Sequence, residues 1–207
     1  MAGFAVCASS GATGNGILSE GDGETNELKW QFSLSTYTYL AQHARDYTNP
    51  IFTADRDWLH LEARYNYEDL KTGSVWLGYN LSTGNNVMLQ LTPMLGGVFG
   101  KVTGIAPGYT ITVDYKTLEF SMQGEYFCDV GTSSDNFFYN WSELSDSPVE
   151  WFRIGVAVER TQASGSNSDF QLGPLIGFKY KNIALTTYWL GAGSDEAKFV
   201  FAATVNF

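Results

Sequence analysis

Only two histidines occur in the sequence, and one of them, His60, stands where it could do chemistry. In "HLEAR" it is followed by Glu62 and Arg64 at alternate positions. Alternate side chains of an extended strand share a face about 7 Å apart, so the three would form one row. A His–Glu pair in such a row can support a general base. The same row can equally be a charge network that fills a narrow interior. His43, beside Arg45 and Asp46, reads as solvated surface. No pair of His or Cys residues has the spacing of a metal site. The Gly-rich "LGGVFG" (95–100) lacks the lysine of a phosphate loop. No catalytic residue, metal ligand or cofactor is assigned.

The elements that would position these residues are strands. The chain has 207 residues, 44% of them apolar and 15% aromatic, with 22 glycines. That composition suits many short strands with glycine-rich turns. Charged residues make up only 16% and the net charge is −10, which argues against a nucleic-acid partner. Two cysteines, Cys7 and Cys128, are too few for a disulfide framework. No run of about 18 apolar residues marks a transmembrane helix. Residues 1–27, rich in Gly, Ser, Thr and Glu, read as a flexible leader, periplasmic or removed by processing. They show no signal peptide.

From residue 28 to residue 207 strict alternation dominates. In "WLHLEARYNYED" (58–69), Leu59, Leu61, Ala63, Tyr65 and Tyr67 share one face, and His60, Glu62, Arg64, Asn66 and Glu68 the other. Similar segments are 28–40, 74–82, 87–95, 108–116, 118–127, 136–145, 151–160, 169–180, 183–190 and 197–207. Tight or short connections at 116–117, 146–150 and 181–182 alternate with longer ones at 100–107, 129–135, 161–167 and 191–196. That alternation fits an up-and-down antiparallel barrel in a membrane. Eleven segments are visible, whereas a single-chain bacterial barrel has an even number of strands. A strand is therefore missed or split near the long stretch 41–57, and the expectation is about 10–12 strands.

Alternation also occurs in soluble barrels, so the placement of aromatics decides. Mid-strand apolar positions are aliphatic or small, such as Leu77, Ile111, Val156 and Leu185. Aromatics including Tyr65, Tyr67, Tyr79, Tyr115, Phe178, Tyr180 and Trp189 gather toward strand ends, as in a girdle at the lipid–water boundary. The opposite face carries His60, Glu62, Arg64, Asp114, Glu119, Glu125, Arg153, Glu159 and Lys179. An unpaired charge is too costly for an apolar core, so these nine are candidates for a polar lumen.

The last segment, "AKFVFAATVNF" (197–207), places Phe199, Phe201, Val205 and Phe207 on one face. It resembles the C-terminal assembly signal of bacterial outer-membrane β-barrel proteins, and the strand-and-turn pattern extends that resemblance over residues 28–207. The resemblance implies outer-membrane lipid as surroundings and the barrel-insertion machinery as a partner of the final strand. It identifies a class, porin-like barrels, without a member. Enzymes of that class that act on lipids carry a His-x-Ser motif, and here Glu62 stands where the serine would be. Omptin-type proteases are echoed only loosely by Asp55, Asp57 and His60. The expectation is a small channel or structural barrel with a charged lumen and a mild preference for cations. A surface hydrolase using His60, or a secreted barrel that binds an apolar ligand, are the alternatives. Oligomeric state is open.

Overall fold

The computed structural model describes residues 29–41, 45–131, 136–165 and 168–207. The leader reading for residues 1–27, Cys7 within it, and His43 all lie outside the described residues. The strands begin with β1 (Gln31–Ala41), β2 (Tyr47–Arg56), β3 (Leu59–Tyr65) and β4 (Thr72–Tyr79). Next come β5 (Leu81–Thr83), β6 (Met88–Gly100), β7 (Gly104–Tyr115) and β8 (Leu118–Asp129). The series ends with β9 (Phe137–Val149), β10 (Phe152–Ala163), β11 (Asp169–Tyr180), β12 (Ile183–Leu190) and β13 (Lys198–Asn206).

Each strand pairs antiparallel with its neighbour in sequence, save β4 with β5, and the pairings β1–β13 and β4–β6 close the sheet. β13 pairs with β1 from Ser33↔Asn206 to Ala41↔Lys198. β4 and β5 lie end to end along β6, with Gly78 opposite Met94 and Leu81 opposite Leu91. They form one strand interrupted at Asn80, so the fold is a closed up-and-down barrel of twelve strands. In lipid, closure is required, since an open edge would leave N–H and C=O groups without partners.

The twelfth strand is β2. Residues 47–56 read as loop in the sequence because Pro50 and Asn49 break the apolar pattern. Pro50 nevertheless lies within β2, and Asn49 faces inward and is fully buried. Restoring β2 also restores the even rhythm of connections. One end of the barrel has tight turns at 57–58, 84–87, 116–117, 150–151 and 181–182. Asp57, Lys116 and Lys181 each start a two-residue turn with φ between 55° and 57°. Positive φ at such positions matches the twist of a hairpin. The other end carries longer connections, including 66–71, 130–136 and 191–197. The expected loop at 100–107 is shorter, because β7 already begins at Gly104. A Cβ there would sit 2.3 Å from the Cys128 carbonyl oxygen, so glycine permits the close approach of β8.

Side chains divide by parity. Leu61, Leu77, Leu95, Ile105, Leu144, Ile154, Val156, Leu172, Ile176 and Leu185 are all exposed on the outer face, an apolar belt with no core to cover it. Toward the turn end the belt meets Trp30, Trp58, Tyr79, Tyr115, Trp151 and Tyr180, also exposed. The inner face holds the buried residues, polar and aromatic together. Tyr67 departs from the sequence reading. The strand ends at Tyr65, Asn66 turns the chain with φ 57°, and Tyr67 enters the lumen with no exposure. A soluble barrel would invert this arrangement, with its apolar face inside.

Val156 lies midway along β10 in the belt. Replacing it with Arg should cost about 2–4 kcal/mol, the range for a charge near the midplane of a barrel's lipid face. Urea unfolding in phospholipid vesicles measures this. A cost near zero would place the position in water.

Candidate functional site

All nine charged candidates lie on inward-facing positions of their strands, and most are gathered into three groups. In the first, His60 stands on β3 with Nδ1 2.7 Å from Asp55 Oδ1 and Nε2 3.2 Å from Glu62 Oε2. Asp55 also accepts from Asn80 Nδ2 at 2.8 Å, and Asn80 in turn accepts from the Thr92 hydroxyl at 2.7 Å. Arg64 donates through Nε to Glu62, and through Nη1 to Glu125 Oε2 at 2.8 Å. Because Glu125 belongs to β8, the second bond crosses the lumen. Both His60 nitrogens point at carboxylates, so neither offers the free lone pair a general base needs. The arrangement is a charge network and gives no catalytic geometry.

The second group joins Arg153 to Glu143, to Ser145 Oγ at 2.9 Å and to Glu119 at 3.9 Å. Glu143 Oε1 also accepts from Trp141 Nε1 at 2.8 Å and from the Tyr188 hydroxyl at 2.9 Å. In the third, Lys198 on β13 is paired with Glu159 on β10. Asp114 and Lys179 stay near the turn-end rim, Asp114 opposite Glu119 in register. Seven carboxylates (Asp55, Glu62, Glu68, Glu119, Glu125, Glu143 and Glu159) thus face Arg64, Arg153, Lys198 and His60 among the described residues.

Between these groups the bore is filled. The Arg64 guanidinium lies 4.2 Å from the ring centres of both Tyr67 and Trp76. Behind it the Trp76 indole lies over the adjoining strands β6 and β7. A Cβ on Gly96 would come within 2.5 Å of the ring and one on Gly108 within 2.9 Å. Tyr67 then meets Tyr139 edge-on, with ring centres 5.8 Å apart. A stack of Trp76, Arg64, Tyr67 and Tyr139 therefore extends from that wall into the lumen. Cation–π contacts away from water contribute about 2 kcal/mol each. Tyr37, Trp141, Tyr188 and Val200 are fully buried around the stack.

Sequence reasoning missed Asp55, Glu68, Asn80, Glu143, Lys198 and the inward aromatics. Lys198 and Glu143 carried a signal, since both alternate with other inward positions. Glu68 also shared the polar face of segment 58–69 by alternation but is not among the nine candidates. Tyr67 carried no signal, because a loop has no period. The loop 66–71 is held by Asn66 Nδ2 donating to the Thr48 carbonyl at 3.0 Å and by a 2.6 Å pair between Lys101 and Asp69. Glu68 on this loop is 2% exposed, and burial pushes its carboxyl above the ordinary range despite the pull of Arg64.

The outward positions of the final strand hold Phe199, Phe201 and Val205. Phe207 and Phe32 exchange two backbone hydrogen bonds at 2.9 Å, and their rings stack 6.1 Å apart. Phe32 stacks further on Trp30 and Phe52, so aromatic contacts run along the seam.

No protein-family model matches the sequence, and no curated protein matches it. Solved structures do. The KdgM porin superposes with a TM-score of 0.57 at 9% identity, covering 84% of this chain and 99% of that one. The KdgM porin in complex with disordered oligogalacturonate gives 0.56 at 9% identity, covering 84% and 98%. Omp33 of Acinetobacter baumannii gives 0.48 at 10% identity, covering 87% and 99%. The chain therefore shares the barrel fold of the KdgM porin. What is shared is the closed barrel, here with an apolar belt on its outer face.

The raised Glu68 carboxyl makes a prediction with a definite sign. Between the unfolded carboxyl value of about 4.3 and the higher folded one, the folded chain holds a proton that the unfolded chain has lost. Stability therefore falls as pH rises through that window. Melting temperature in detergent should drop from pH 4 to pH 7 more steeply in the native protein than in Glu68→Gln. Parallel curves would remove Glu68 as the cause.

Proposed function

We propose that the protein is a narrow, cation-preferring channel of the bacterial outer membrane. The supporting observation is the lumen itself: a closed barrel whose interior is charged, net acidic, and narrowed by side chains. Glu62, Arg64 and Glu125 would form the constriction with Tyr67. Glu119, Arg153, Asp114 and Lys179 would line the turn-end mouth, His60 would tie the constriction to it, and Glu159 would line the opposite side with Lys198. A 12-strand barrel lies between side-chain-filled small barrels and open porins in bore. Since the filling is made of side chains, rotamer changes can open a path without unfolding the wall.

The neighbour KdgM has been captured with oligogalacturonate, a polyanion. Here the interior acids outnumber the bases, and like charge disfavours such a solute, so that cargo is not carried over. The Phe199, Phe201, Val205 and Phe207 face would present the assembly signal to the barrel-insertion machinery during folding.

Planar-bilayer recording tests the channel. Native protein should give small events with permeability favouring K⁺ over Cl⁻, and Tyr67→Ala should raise the conductance by widening the constriction. If native protein and Tyr67→Ala are both silent, the barrel is structural.

A further inference from the structure

The cage around Arg64 holds more carboxyl groups than Arg64 can pair. Glu62 and Glu125 both bond to the guanidinium, yet Glu125 Oε1 is buried with no hydrogen-bond partner. Glu68, bonded to Ser74 on β4, adds a third buried carboxyl. Its electrostatic neighbours are Arg64 and Glu62, which places it against the same cage. Three carboxyl groups thus surround one cation, since His60 is already held between Asp55 and Glu62. A buried carboxyl oxygen without a partner, as on Glu125, is costly, and a second donor-bearing cation would relieve that cost.

The geometry says which kind of cation. Tyr67 and Trp76 present two faces with a planar guanidinium between them, 4.2 Å from each ring centre. Guanidinium is the cation that stacks on rings and also donates in a plane to carboxylates. The cage is therefore built for an organic planar cation, and Arg64 occupies it as a tethered one. We propose that this cage is a binding site for a guanidinium-bearing solute, which exchanges with Arg64 between Tyr67 and Trp76 and is held by Glu62, Glu68 and Glu125. The inference deepens the cation-channel reading and rests on it for its physiological meaning, although binding itself can be measured without conduction.

The test is calorimetric titration of the full chain in detergent with methylguanidinium chloride, using tetramethylammonium chloride as a control of equal charge. Arg64→Ala, whose cage is vacated, should bind methylguanidinium saturably and more tightly than native protein does. Adding Glu68→Gln to that variant should weaken binding at least about tenfold, as expected on removing a buried charge partner. Tetramethylammonium, which is not planar and cannot donate hydrogen bonds, should give no saturable heat. No saturable binding by Arg64→Ala, equal binding of both cations, or indifference to Glu68→Gln would each overturn the proposal. If Arg64→Ala does not fold, Arg64→Met supplies a neutral chain of similar length and is judged by the same three criteria. Saturable binding by a protein silent in bilayers would end the channel reading and leave the cage standing. Conduction without saturable binding would do the reverse.

Discussion

The structure depends on one constraint: in a bilayer every backbone N–H and C=O must find its partner within the protein. The pairing of β1 with β13, and of β6 with the interrupted strand β4–β5, meets that demand by removing both edges of the sheet. Closure then dictates the side-chain faces. The outer face takes Leu, Val and Ile, with aromatics toward the rims, the composition that suits acyl chains. The inner face is left for everything polar, and a bore of this size has little room for water around so many charges.

The interior answers by crossing itself. Arg64 on β3 reaches Glu125 on β8, Tyr188 on β12 reaches Glu143 on β9, and Tyr67 meets Tyr139. Removing one member of a buried pair costs about 3–5 kcal/mol, because the partner charge is left uncompensated. These bridges therefore fix the cross-section of the barrel as well as its electrostatics. The same side chains that stiffen the wall also narrow the path, so stability and permeability are coupled through Arg64 and its aromatic neighbours. Around that stack, two glycines matter for the space they leave: Gly96 and Gly108 allow the Trp76 indole to lie flat against the wall. A larger residue at either position would push the ring into the bore.

Much of this was legible in the sequence, for a physical reason. A strand lining lipid on one side and a wet interior on the other must alternate, and alternation is visible without neighbours. That exposed the barrel class, the apolar belt and the inward parity of Glu62, Arg64, Glu125 and Arg153. The strand β2 escaped because Pro50 and Asn49 interrupt the pattern, although closure of the sheet tolerates both. Tyr67 was assigned to the outer face by extending a period past Asn66, where a left-handed turn ends it. Pairing across the lumen escaped altogether. The contact of Arg64 with Glu125 joins residues 61 apart in the chain, and no local pattern encodes which strands end up facing each other.

The measurement that bears most directly on the account is membrane fractionation of the expressed protein followed by gel migration with and without boiling. A closed twelve-stranded barrel should be found in the membrane fraction, and its unboiled form should migrate apart from the boiled chain, since detergent alone does not open the sheet. Protein that stays soluble without detergent and migrates identically in both lanes would contradict the account, because the apolar belt would then have to be covered by something other than lipid.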